Sequence, residues 1–159
     1  TLLDVGCGTG NVLAMLAKKT SIKLYGLDLS EKMIEVCRSR LKDKVILQVG
    51  DSETLPWEDN SFEVIICNAS FHHYPNPEKV LTEMRRVLTA NGTLIIGDPT
   101  LPTILRQISN FALKWSDGGD YRLYSQEEIQ RLLEKCGFKP YNWKKPNCKT
   151  FVINAGVCK

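Results

Sequence analysis

Leu3-Asp4-Val5-Gly6-Cys7-Gly8-Thr9-Gly10 is a short apolar run that opens into glycines at every second position. Directly behind it Val12, Leu13, Leu16 and Ala17 repeat at helical spacing, so the segment reads as strand, loop, helix. Glycine has no Cβ and turns freely, which lets the backbone of such a loop come close to a bound ligand. A chain of alternating strands and helices is expected to grow from this unit, with the loop on its ligand-binding edge.

The alternation continues at once. Residues 23–29 read as a second strand, followed by Ser30 as an N-cap, Glu31 in the first helical turn, and Ile34, Cys37 and Leu41 on one face. Residues 45–49 and 62–67 read as strands three and four, with a polar turn at Glu58-Asp59-Asn60 and at most a very short helix between them. Asn76-Pro77 opens a helix whose core face is Val80, Met84, Val87 and Leu88, and Asn91-Gly92 is expected to close it before strand five at 93–97. Over 103–115, Ile104, Leu105, Ile108, Phe111, Ala112 and Trp115 form one stripe, expected to pack into the core before Gly118-Gly119 interrupts it. Ser125 and Glu128 form a capping box for a helix carrying Ile129, Leu132, Leu133 and Cys136 and ended by Gly137.

Residues 138–143 and 150–157 are extended runs joined by a loop too short for a parallel crossover, so they pair as an antiparallel hairpin or lie apart. The expected fold is α/β: a doubly wound, mostly parallel, seven-stranded Rossmann-like sheet with an antiparallel last strand and helices on both faces. One domain spans residues 1–159, and a chain of this length buries roughly 70% of its unfolded surface.

Composition narrows the function classes. The chain is 43% apolar and 25% charged, which excludes disorder and fibrous repeats, and its net charge of +3 is spread thinly, apart from Lys144, Lys145 and Lys149. Nucleic-acid binding is therefore not expected. No apolar run reaches the roughly 18 residues of a spanning helix and no signal peptide is evident, so a membrane partner is not expected either. Six cysteines without a C-x-x-C suggest free thiols in a reducing cytoplasm, and two adjacent histidines give too few ligands for zinc, so no metal is expected.

Asp4, Gly6, Gly8 and Gly10 resemble the first motif of the class I S-adenosylmethionine-dependent methyltransferases. Their third glycine comes one residue earlier than in the G-x-G-x-x-G of nucleotide-binding dehydrogenases. Tyr25-Gly26-Leu27-Asp28-Leu29-Ser30 is similar to the end of the family's second strand, where an acid binds both ribose hydroxyls and the next residue packs on adenine. A carboxylate offers acceptor sites on two oxygens, which suits a vicinal diol. Gly50-Asp51-Ser52, Leu55-Pro56-Trp57 and Asp59-x-Ser61-Phe62 resemble the segment that closes over the adenine, with Asp51 accepting from the exocyclic amine. Residues 86–96 resemble the family's fourth helix and fifth strand, with Asn91-Gly92 in place of Pro-Gly-Gly. The likeness covers residues 2–138 in order, and the final hairpin matches strands six and seven. It implies S-adenosylmethionine as cofactor, held by Asp4, Gly6, Cys7, Gly8, Thr9, Gly10, Asp28, Leu29, Asp51, Ser52 and Asn68.

The implied reaction is an in-line displacement in which the protein mainly positions the acceptor behind the methyl group. Asn68-Ala69-Ser70-Phe71-His72-His73-Tyr74 resembles the family's loop after strand four but lacks the Asn-Pro-Pro-aromatic form used on nucleobase or amide nitrogens. The histidine pair instead resembles members acting on small molecules, including those of ubiquinone and menaquinone biosynthesis. His72 and His73 are the candidate bases, although adjacent side chains normally point apart. Arg122 is a candidate for holding an acidic acceptor, its plainer reading being a solvated arginine. Two other functions compete: a non-catalytic S-adenosylmethionine-binding regulatory domain, and a NAD-dependent oxidoreductase, which the glycine spacing and Asp51 disfavour. Family members usually carry a helical lid before strand one. The expectation here is that it is lacking, that the cleft is open to water, and that exposed apolar residues favour a homo-oligomer.

Overall fold

The computed structural model describes residues 1–113 and 119–158. Its elements are β1 (Leu2–Val5), α1 (Asn11–Leu16), β2 (Leu24–Asp28), α2 (Glu31–Leu41), β3 (Ile46–Val49), β4 (Phe62–Asn68), α3 (Pro77–Val87), β5 (Leu88–Pro99), α4 (Thr103–Leu113), α5 (Gln126–Lys135), β6 (Phe138–Asn147) and β7 (Thr150–Val157). The strands form one sheet in the order β3-β2-β1-β4-β5-β7-β6. β1 to β5 pair in parallel, and β7 runs antiparallel between β5 and β6.

Alternation along the strands builds a core on each face. Leu3 and Val5 join Leu27, Ile65, Cys67, Leu94 and Ile96 against α3 and α5, contributing to a cluster that includes Val80, Met84, Ile129 and Leu133. Leu2 and Leu24 point the other way and pack with Leu13 of α1 and Ile34, Cys37 and Leu41 of α2. Each fully buried aliphatic side chain contributes about 1.5–3 kcal/mol relative to exposure, so these two layers carry the fold.

Two expectations fail. The helix of 77–88 ends at Val87, and Leu88, already extended at φ −82° and ψ 136°, starts β5 by pairing with Phe62. Asn91-Gly92 therefore lies within the strand rather than closing the helix. The cause is tertiary: Leu88 is buried in the main core, where extended pairing satisfies its backbone. The second failure is α4, in which no residue is buried. Ile104, Leu105, Ile108 and Phe111 are 54–73% exposed. Both sheet faces are already covered by other helices, and α4 is tied instead by polar contacts, Asn110 giving and accepting hydrogen bonds of 2.9 Å with Leu123. Trp115 and Gly118 of the expected stripe and its stop lie outside the described residues.

One polar clamp fixes the loop between β3 and β4. The Arg86 guanidinium donates to Trp57 O at 2.8 Å, Leu55 O at 3.0 Å, Asp59 and both carboxylate oxygens of Glu83, while Glu83 accepts from Leu55 N–H at 2.9 Å. The segment that follows Asp51 is thereby held against α3.

Candidate functional site

Parallel pairing brings the ends of β1 and β2 side by side at the carboxyl edge of the sheet. Gly6 and Cys7 N–H both donate to Leu27 O, at 2.8 and 2.9 Å. One Asp28 carboxylate oxygen accepts from Gly8 N–H at 2.7 Å and the other from Ser30 N–H at 2.9 Å. Each oxygen keeps a further lone pair, so Asp28 both shapes the glycine loop and retains acceptor capacity toward a ligand. Gly6 adopts φ +74°, and a Cβ there would stand 2.5 Å from Ser70 Oγ. Gly8 is also left-handed at φ +53° but faces open space. The first glycine thus serves close packing and the second leaves the loop bare.

A cleft of about 250 Å³ opens there, lined by Gly6, Leu27, Asp28, Leu29, Gly50, Asp51, Ser52, Glu53, Ser70, His73, Tyr74 and Pro75. That is slightly below the roughly 300–1,000 Å³ usual for cofactor pockets, as suits a cleft open to solvent. Of the residues singled out in the sequence, Gly6, Asp28, Leu29, Asp51, Ser52 and His73 meet here. Asp51 and Leu29 are exposed, and Asp51 accepts from Glu53 N–H at 2.9 Å. Asp4, Cys7, Gly8, Thr9, Gly10, Asn68 and His72 lie off this lining. The Cys7 thiol is turned into the core beside Cys37, and burial pushes its pKa far up, so only its backbone belongs to the loop. Thr9 O accepts from Arg40 at 2.6 Å.

Asp4 is the most strained acid electrostatically. It is 2% exposed, its Oδ1 has no partner, and burial followed by the charge of Asp28 raises its pKa to about 7. Asp28, Asp51 and Glu53 line the cleft with Asp4 behind, Glu53 being paired with Lys79 at 3.2 Å, and among the described residues no lysine or arginine lines it. Such a cleft suits a cation.

Ser70 and Tyr74 escaped the sequence reading. The Ser70 hydroxyl donates to Val5 O at 3.1 Å and lies 3.2 Å from Tyr74 Oη, closing the floor of the cleft under Gly6. Burial holds the Tyr74 hydroxyl well above its usual pKa, so it stays neutral. Ala69 reaches this turn at φ +53°, a region proline cannot enter, which explains why an Asn-Pro-Pro loop is foreign to this backbone.

The histidines do not point apart. On the turn Phe71–His73 their ring centroids are 4.0 Å from each other, because both face Asp120: His73 Nδ1 at 2.9 Å and His72 Nε2 at 3.7 Å from Oδ1. Tyr121 and Arg122 N–H donate to His72 O at 2.8 and 3.2 Å, seating that loop on the turn. His72 Nδ1 donates to Oδ1 of Asp98, a 2%-exposed carboxylate at the end of β5, at 2.9 Å. Burial alone lowers the His72 pKa, but the hydrogen bond and charge of Asp98, with the charge of Asp120, outweigh it and raise it above 6.5. Arg122 is engaged with Glu128 at 2.5 Å and lies over the Tyr124 ring, so it is not held ready for an acidic acceptor.

A glycine loop, an acid at the end of the second strand and an acidic cleft at the carboxyl edge define a cofactor-binding α/β domain. The methyltransferase domain family matches residues 3–96. A demethylmenaquinone methyltransferase from Thermotoga maritima is 38% identical over 160 aligned positions, covering 87% of this chain and 69% of that protein. The 27-O-demethylrifamycin SV methyltransferase of Amycolatopsis mediterranei is 30% identical, covering 87% of this chain and 54% of that protein. The crystal structure of a SAM dependent methyltransferase from Aquifex aeolicus superposes with a TM-score of 0.81 at 24% identity, over 98% of this chain and 81% of that one. The chain belongs to the methyltransferase domain family and shares its fold with that solved methyltransferase. It spans from 37% to 69% of the length of the curated relatives it matches first.

Proposed function

We propose that this domain transfers a methyl group from S-adenosylmethionine to a small organic acceptor, with His72 as the base. When bound, S-adenosylmethionine supplies a methyl group already activated on a cationic sulfur. The residues present fit it: Asp28 retains acceptor sites, Leu29 offers an apolar edge, and Asp51 borders the same cleft. The acidic lining suits a ligand that carries positive charge and disfavours the anionic pyrophosphate of a dinucleotide, which argues against the oxidoreductase reading. Relatives named for demethylmenaquinone and 27-O-demethylrifamycin SV support a small acceptor. Among the described residues no helix is long and apolar enough to cross a membrane, and the cysteines are free thiols, which supports a cytoplasmic setting.

The observation that carries the base assignment is the 2.9 Å hydrogen bond from His72 Nδ1 to buried Asp98. It fixes the tautomer, leaves the Nε2 lone pair as acceptor, and stabilises the imidazolium once a proton arrives. His73, on the cleft wall, contributes to positioning the acceptor.

The test is S-adenosylhomocysteine release across a panel of small hydroxylated and quinone-type acceptors, followed by a pH profile on the best one. kcat/KM should fall on the acid side with an apparent pKa above that of an ordinary imidazole, because the base must be neutral. Asp98→Asn should move that limb toward acid, and His72→Gln should lower kcat by roughly 10²–10⁴-fold. Cofactor binding with no release from any acceptor would favour the regulatory reading, and an unmoved limb in Asp98→Asn would remove His72 from the base role.

A further inference from the structure

His72 and His73 offer two imidazoles from one turn, and the fold brings a carboxylate to them from a distant loop. One ligand atom from each of His72, His73 and Asp120 lies within 4.8 Å of the others. Asp120 Oδ1 is 2.9 Å from His73 Nδ1 and 3.7 Å from His72 Nε2, and His73 Nδ1 also lies 3.1 Å from Gly119 O, a contact that a bound ion would replace. Metal bonds of about 2.0–2.1 Å in tetrahedral geometry separate ligand atoms by about 3.3 Å, a value those two distances bracket. His73 and Asp120 are 45% and 40% exposed, which leaves their side chains room to close on an ion.

We propose that His72 Nε2, His73 Nδ1 and Asp120 form a binding site for a divalent first-row transition ion of the zinc type. Two imidazoles and one carboxylate suit such an ion, and three protein ligands leave a coordination position open. A second observation points the same way. Asp98 is buried and holds His72 through Nδ1, the carboxylate–histidine arrangement that orients a metal-ligating ring and leaves Nε2 as the donor. Because His73 lines the cleft, the ion sits at its wall. On the reading of His72 as base, the ion takes the lone pair that would accept the acceptor's proton, so metal occupancy opposes turnover.

Zinc affinity measured against a chromophoric chelator, with Co²⁺ absorption as the spectroscopic probe, tests the site directly. Cys148 and Cys158 are exposed free thiols, the kind of group that competes for zinc, so the measurement uses the Cys148→Ser, Cys158→Ser protein. One ion should bind per chain, with visible Co²⁺ bands and no thiolate charge-transfer band. Asp120→Asn and His73→Ala should each weaken it about tenfold or more while thermal unfolding stays near wild type, both side chains being exposed. No bound ion, or unchanged affinity in both folded variants, would overturn the site. Zn²⁺ should also inhibit methyl transfer, chelator should restore it, and Asp120→Asn should be insensitive. Zinc bound without inhibition would leave the site standing and overturn the base assignment instead.

Discussion

Asp4 sits on β1 with its carboxylate enclosed, one oxygen unpartnered and its pKa raised to about 7 by burial and then by Asp28. The unfolded chain ionises this group near 3.8, so between pH 4 and 7 the folded state holds more protons. Its contribution to stability, up to about 4 kcal/mol, is complete below pH 4 and is lost as pH rises through about 7. Asp4→Asn should therefore have a higher Tm than wild type at pH 8, with the difference shrinking toward pH 5. Parallel Tm curves for the two proteins would contradict this. The place of Asp28 at the mouth of the glycine loop was legible in the sequence, because an acid that ends the second strand of such a sheet lies beside the loop that ends the first. Ser70 was not, since its meaning lies in Val5 O, a partner far away in the chain that no spacing announces.

Elements whose signals are local came through intact. Ser125 Oγ accepts from Glu128 N–H at 3.1 Å while Glu128 accepts from Ser125 N–H at 2.7 Å, the reciprocal cap expected before α5. Ser125→Ala should cost about 1 kcal/mol in urea unfolding, with the m-value unchanged. A loss below about 0.3 kcal/mol would show that the cap adds nothing beyond the packing of Ile129 and Leu133. α4 was misread for the opposite reason. Helical period reports that an apolar stripe exists, but what covers it depends on how many helices compete for the sheet faces. The boundary between α3 and β5 failed similarly, because Phe62 decides the conformation of Leu88. Arg86 exemplifies a role between elements: Arg86→Ala should free the segment of residues 55–59 from α3, seen as faster amide exchange there, and unchanged exchange would show that Trp57 and Leu55 hold it by packing alone.

For the whole molecule, the mostly parallel sheet with its antiparallel last strand and its helices on both faces was legible from alternation, because β-α crossovers have one hand, whereas the order of the strands came from their pairing. The net charge of +3 was less informative, since the cleft lining gathers Asp28, Asp51 and Glu53, of which Glu53 is paired with Lys79. Local potential, not the total, selects the ligand. In the proposed function this acidic cleft is an S-adenosylmethionine site organised by Asp28. Calorimetry of S-adenosylmethionine, S-adenosylhomocysteine and NAD against wild type and Asp28→Ala tests it most directly. Both adenosyl ligands should bind wild type and NAD should not. Each hydrogen bond lost from a charged acceptor costs roughly 1.5–3 kcal/mol, so Asp28→Ala should weaken both adenosyl ligands at least about tenfold. Binding of NAD as tight as that of S-adenosylmethionine, or an affinity change below about twofold in a folded Asp28→Ala protein, would contradict the account.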